Sequence, residues 1–183
     1  MSDEVIIQNC SPTLAGLKTG NLFSAEFESK QELLNDIRIL NKRLSPKGLR
    51  IIPMRYMEKR VLLYLYRPSH LKEDLSSEEA YKILMNMGYN CASPEECIVK
   101  LINKLKSAAE FPHEIGLFLG YPPEDVRGFI ENNAANYKLI GTWKVYGDEN
   151  KAMETFNKFE KCTNVYCRQW RNGKSIEQLS VAV

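Results

Sequence analysis

A chain of 183 residues that is 44% hydrophobic and 26% charged can bury a core of its own, and its composition excludes disordered and fibrous proteins. A net charge of +2 and a pI near 8.2 fall short of a nucleic-acid footprint and argue against that partner. No apolar run approaches the roughly 20 residues of a membrane span, which argues against a membrane partner.

The opening Met1-Ser2-Asp3-Glu4 lacks the cationic-then-apolar order of a secretory leader. Five scattered cysteines point to reduced thiols in a cytoplasm. Charge is uneven along the chain: −4 over residues 1–37, +9 over 38–72, −6 over 73–135 and +3 over 136–183. The cationic block coincides with predicted strands. It either attracts an anionic partner or neutralises the acidic flanks, and neutralisation is the better expectation at so small a total charge.

In chain order, Asn9-Cys10-Ser11-Pro12 places a thiol just ahead of a possible helix start. A strand is expected from Leu22 to Phe27. The capping box Ser29-Lys-Gln-Glu32 opens a helix with apolar Leu33, Ile37, Leu40 and Leu44, which Pro46 and Gly48 end. Residues 49–56 and 60–67 read as an antiparallel hairpin. Its second strand is apolar on both faces and so central, and Pro53 puts the first at an edge or on a bulge. Caps at Ser76-Ser-Glu-Glu79 and Ser93-Pro94-Glu-Glu96 open two more helices. Residues 113–131 have helix-turn-helix spacing, although the second helix is too acidic to enter a DNA groove. Tyr137 to Tyr146 alternates as a strand, Asp148 caps a further helix, and a short helical tail follows. The expected fold is one α+β domain over residues 1–183. Its sheet is mainly antiparallel, with the hairpin at about 49–67 and strands at about 22–27 and 138–146.

Three constellations bear on chemistry. Arg50, Tyr56, Arg60, Tyr64 and Tyr66 fall at even positions of the hairpin and, if its register allows, share a face. With Arg67 they form the candidate ligand-binding set, suited to a small anion by stacking and charge. The competing expectation is that the tyrosines are buried beneath helices, since Ile52, Met54 and Leu62 share their face. The second constellation is Cys10 as nucleophile, His113 as base and Glu114 as a possible orienter, the parts of thiol acyl transfer. The third, Cys91, Cys97, Cys162 and Cys167, is spaced too widely for a zinc knuckle, and no metal site is assigned.

The strings Cys10-Ser-Pro-Thr-Leu-Ala-Gly-Leu-Lys18 with Asn21-Leu-Phe23, Phe111-Pro-His-Glu-Ile-Gly-Leu-Phe-Leu-Gly-Tyr-Pro122 with Glu124-Asp-Val126, Gly141-Thr-Trp-Lys-Val-Tyr-Gly147 and Lys161-Cys-Thr163 resemble a bacterial family catalogued as domain of unknown function 3793. The resemblance spans nearly the whole chain and implies a single cytoplasmic domain. It implies no activity, cofactor or site. The expected role is a binding or accessory protein for a small anionic ligand or a protein partner, using the hairpin and the 137–174 region. The alternative is a cysteine-dependent hydrolase or acyl-transfer enzyme. Cofactor and oligomeric state are left open.

Overall fold

A computed structural model describes residues 2–107 and 111–182. The chain runs through α1 (Asp3–Leu14), β1 (Gly20–Glu26), α2 (Lys30–Leu44), a 3-10 turn (Ser45–Lys47), β2 (Arg50–Met57) and β3 (Arg60–Tyr66). Helices α3 (Pro68–Leu75), α4 (Glu78–Asn86), α5 (Pro94–Ser107), α6 (Ile115–Phe118) and α7 (Pro123–Glu131) follow. The short strands β4 (Leu139–Ile140) and β5 (Lys144–Val145) precede α8 (Glu149–Arg171) and α9 (Ile176–Leu179). The architecture is α+β. Contacts divide it into two compact units, Met1–Ser69 with Phe159–Val183, and His70–Lys158.

The first unit is built on an antiparallel sheet in the order β1-β3-β2. The doubly apolar strand is central, as its pattern requires. Pro53 lies on an edge strand, and the register shifts between Pro53 and Arg55, so the proline sits at a bulge where no ladder N–H is lost. One sheet face presents Phe23, Ala25, Ile51, Val61, Leu63 and Leu65. Against it lie Ile6, Ile7, Cys10 and Leu14 of α1, Leu33, Ile37, Leu40 and Leu44 of α2, and Ile176 and Leu179 of α9. Ser29 caps α2 by accepting from Glu32 N at 3.4 Å, and Ser175 with Gln178 forms a full capping box on α9.

The second unit is helical apart from the β4–β5 hairpin. Ser77 caps α4, one residue along from the first serine of its signal. Asp148 caps α8 by accepting from Asn150 N and Lys151 N at 2.9 and 3.1 Å. The strand expected over residues 138–146 is realised as two short strands in a hairpin of their own. Residues 141–143 turn between them, and Gly141 lies against the ring of Phe156, where a Cβ would collide.

Two local expectations need correction. Cys10 does not precede a helix; it lies in α1, whose buried Ile6, Ile7, Cys10 and Leu14 keep helical spacing. Pro12, read as a helix start, falls near the end of that helix.

Candidate functional site

The bulge in β2 decides where the polar residues of the ribbon go. Directly opposed residues share a sheet face. Arg50 faces Tyr66 and Ile52 faces Tyr64, whereas Tyr56, beyond the bulge, faces Val61. Tyr56 therefore joins the core-facing side, edge-on to Phe27 at 6.0 Å and under Lys30 Nζ at 4.6 Å. Tyr64 and Tyr66 stack with centroids 4.6 Å apart, and both are buried. Arg50 and Arg60 are exposed but stand at opposite ends of the ribbon. Arg50 pairs with Tyr66, six residues from Arg60 along β3, a separation of about 20 Å at strand rise.

Arg67 is fully buried. Its guanidinium donates to the carbonyl oxygens of Thr13, Leu14 and Val181, each at 2.8 Å, and of Lys47 at 3.1 Å. It ties the end of α1, the turn before β2 and the C-terminal segment together, its donors taken up by backbone carbonyls. The six hairpin residues are thus distributed over two faces and both ends of the ribbon.

Cys10 is fully buried in the first unit. Burial pushes its thiol far above the ordinary range, partly offset by nearby Lys18. His113 and Glu114 belong to the second unit. Glu114 is buried and accepts hydrogen bonds from Tyr89 Oη at 3.1 Å and Lys104 Nζ at 2.5 Å. His113 is exposed and packs on Phe129 at 5.0 Å between ring centroids.

That histidine stands on the rim of a pocket. A cavity of about 330 Å³ in the second unit is lined among others by Phe111, His113, Tyr121, Phe129, Trp143 and Lys144, within the size range of small-ligand sites. Tyr121 stacks on Trp143 at 4.8 Å, and Trp143 meets Phe156 edge-on at 4.6 Å. Lys144 Nζ lies 4.6 Å over the Tyr137 ring and 5.8 Å over Phe129. One of its three donors goes to Ala134 O at 2.7 Å. Burial pushes the Tyr121 hydroxyl up to about 12, so it is a neutral donor at physiological pH.

Asp125, in the first turn of α7, sets this geometry. Buried at 3% exposure, it accepts from Trp143 Nε1, Tyr146 N and Gly147 N, all at 2.7 Å. Three donors on one carboxylate hold the turn after β4 against α7 and fix the indole plane. Gly116 permits the floor: a Cβ there would stand 2.8 Å from Val126 Cγ2 and 3.1 Å from Tyr121 Cδ2. Tyr121, Phe129, Trp143, Lys144 and Asp125 were not legible as a set in the sequence. The available signals were the aromatic density of Gly141-Thr-Trp-Lys and an indole N–H that needs an acceptor when buried.

Another crevice, of about 420 Å³, occurs in the first unit. Its lining includes Glu26, Glu28, Glu32 and Asp36 beside Lys59, a predominantly acidic wall that would repel an anion. Among the described residues, no group of three or more His, Cys, Asp or Glu is placed to hold a metal ion. Cys91 and Cys97 lie in the second unit, Cys162 and Cys167 in the first. No helix among the described residues is long and apolar enough to cross a membrane.

Comparison with known proteins gives one family. Its model, described as "Protein of unknown function (DUF3793)", matches residues 6–180. No curated protein and no solved structure matches the chain. Two of the strings that carry the resemblance, 111–126 and 141–147, supply most of the pocket wall.

Proposed function

The chain belongs to the DUF3793 family, and we propose that it is a cytoplasmic binding protein whose site is the aromatic pocket of the second unit. The ligand is small and flat, with an apolar body and one anionic group. The supporting observation is the convergence of Tyr121, Phe129 and Trp143 with the cation Lys144 and the imidazole of His113 on one cavity. Rings offer stacking surface to a planar body. An ammonium already oriented by Ala134 O supplies charge-assisted hydrogen bonds to a carboxylate, sulfonate or phosphate. Of the two partners expected from the sequence, a small anionic ligand or a protein, this reading takes the first. Of the two regions it uses 137–174, through Trp143 and Lys144, rather than the hairpin. Acyl transfer by Cys10 has less support, since a thiol buried so deeply and held protonated is a poor nucleophile.

The test is calorimetric titration with 2-naphthoate and its neutral counterpart 2-naphthamide. Naphthoate is expected to bind roughly tenfold tighter, a difference of about 1.4 kcal/mol. Lys144→Met should remove that advantage and leave the amide unaffected, while Lys144→Arg restores it. Trp143→Ala, with the fold checked by circular dichroism, should weaken both. Equal affinity for the two probes in the wild type, or binding indifferent to Trp143, would refute the proposal.

A further inference from the structure

A pair of cysteines in the second unit plays no part in the pocket. The helix α5 begins with a reciprocal cap: Ser93 Oγ accepts from Glu96 N at 3.3 Å, and Glu96 Oε2 accepts from Ala92 N at 2.9 Å. This cap fixes the path by which the chain enters the helix. Cys91 stands two residues before the cap Ser93, and Cys97 four residues after it. Both line one cavity of about 270 Å³ with Tyr89, Ser93 and Pro94, and burial, with the neighbouring Cys91, pushes the Cys97 thiol up to about 12. The preceding loop is anchored too, by Lys104 Nζ on Met87 O at 2.9 Å and by Lys100 Nζ on Gly88 O.

We infer that Cys91 and Cys97 form a reversible disulfide by exchange with a low-molecular-weight disulfide, clamping the loop to the first turns of α5. Cys91 is half-buried and Cys97 buried, which sets the order of events. The Cys91 sulfur, losing its proton, attacks one sulfur of the small disulfide. A protein–small-molecule S–S bond forms, the original S–S bond breaks, and one small thiol leaves with a proton. The Cys97 sulfur then attacks the Cys91 sulfur, forming the internal disulfide and releasing the second small thiol with the second proton. Two protein thiols are oxidised and one small disulfide is reduced to two thiols. The reciprocal cap keeps both cysteines on the wall of one cavity, where the second attack takes place.

The full-length chain is incubated with oxidised glutathione, quenched under denaturing conditions with an alkylating agent, digested and mapped by mass spectrometry. The expected product is one cross-linked species joining the Cys91 and Cys97 peptides, lighter by two hydrogens and reverted by dithiothreitol. Cys91→Ser should leave Cys97 alkylatable, with no cross-link. Cys97→Ser should trap glutathione on Cys91, and it keeps the test informative if the other variant folds poorly. A wild-type protein that accumulates a stable glutathione adduct at Cys91 overturns the inference. So does one that links either cysteine to Cys10, Cys162 or Cys167, or that leaves both free.

Discussion

Arg67 and Asp125 show one physical rule operating in opposite senses of charge. Each is a buried ion that gathers several hydrogen bonds from separate parts of the chain. Arg67 serves four carbonyl oxygens, and Asp125 serves two N–H groups and an indole. Hydrogen bonds to a charged group contribute about 1.5–3 kcal/mol each, so Arg67→Met should destabilise the protein by at least about 3 kcal/mol. Exposed Arg50 and Arg60, each changed to Met, should stay within about 0.5 kcal/mol of wild type. Urea denaturation measures both, and equal effects at the three arginines would contradict the division between buried and exposed ribbon residues.

At the scale of elements, α1, α2 and α9 are joined by one arginine. Arg43 of α2 donates bidentately to Asp3 at the start of α1, at 2.7 and 3.0 Å, and also binds Glu177 of α9. The guanidinium holds the Glu177 carboxyl at about 2, against an ordinary 4.5. The depressed folded-state value means that the stabilisation is present above the ordinary carboxylate range. It is lost as pH falls through that range towards about 2, because the unfolded chain takes up the proton first. Both partners are partly solvent-exposed, which keeps the effect modest. Glu177→Gln should therefore be less stable than wild type at neutral pH and converge with it near pH 2, as followed by circular dichroism. A gap unchanged across the acid limb would show that the pair contributes nothing.

The near-neutral total charge of the whole molecule conceals two populations. The first unit carries 15 Lys and Arg against 9 Asp and Glu, and the second 10 against 14. The proposed pocket belongs to the acidic unit, so the general field there opposes an anion while Lys144 attracts it locally. Added salt screens both. Naphthoate affinity should change little between low and moderate salt, whereas an anion held on the arginine-rich ribbon would lose affinity steeply. Titration at several ionic strengths separates the two sites.

Local signals were sufficient for much of this molecule. The caps at Ser29, Ser93 and Asp148, the central position of Arg60–Tyr66 and the edge bulge at Pro53 follow from residue chemistry within a few positions, because a capping oxygen or a missing N–H acts on its neighbours. The family resemblance was legible in the same strings. Long-range consequences were not. A bulge of one residue turned Tyr56 to the opposite face, four carbonyls from separate segments claimed Arg67, and α1 absorbed Cys10 into the core despite Pro12. The pocket depends on α7, the turn after β4 and α8 meeting around Asp125 and Trp143, an encounter between residues up to 31 positions apart, Asp125 to Phe156. Sequence alone determined the elements that carry local signals, such as α2, α4, α5, α8 and the β2–β3 hairpin, since caps and alternation are settled by near neighbours. It did not determine α1 or the division of residues 138–146. Which side chains converge on a ligand was decided only by tertiary packing, because convergence depends on the positions of elements that no local interaction encodes.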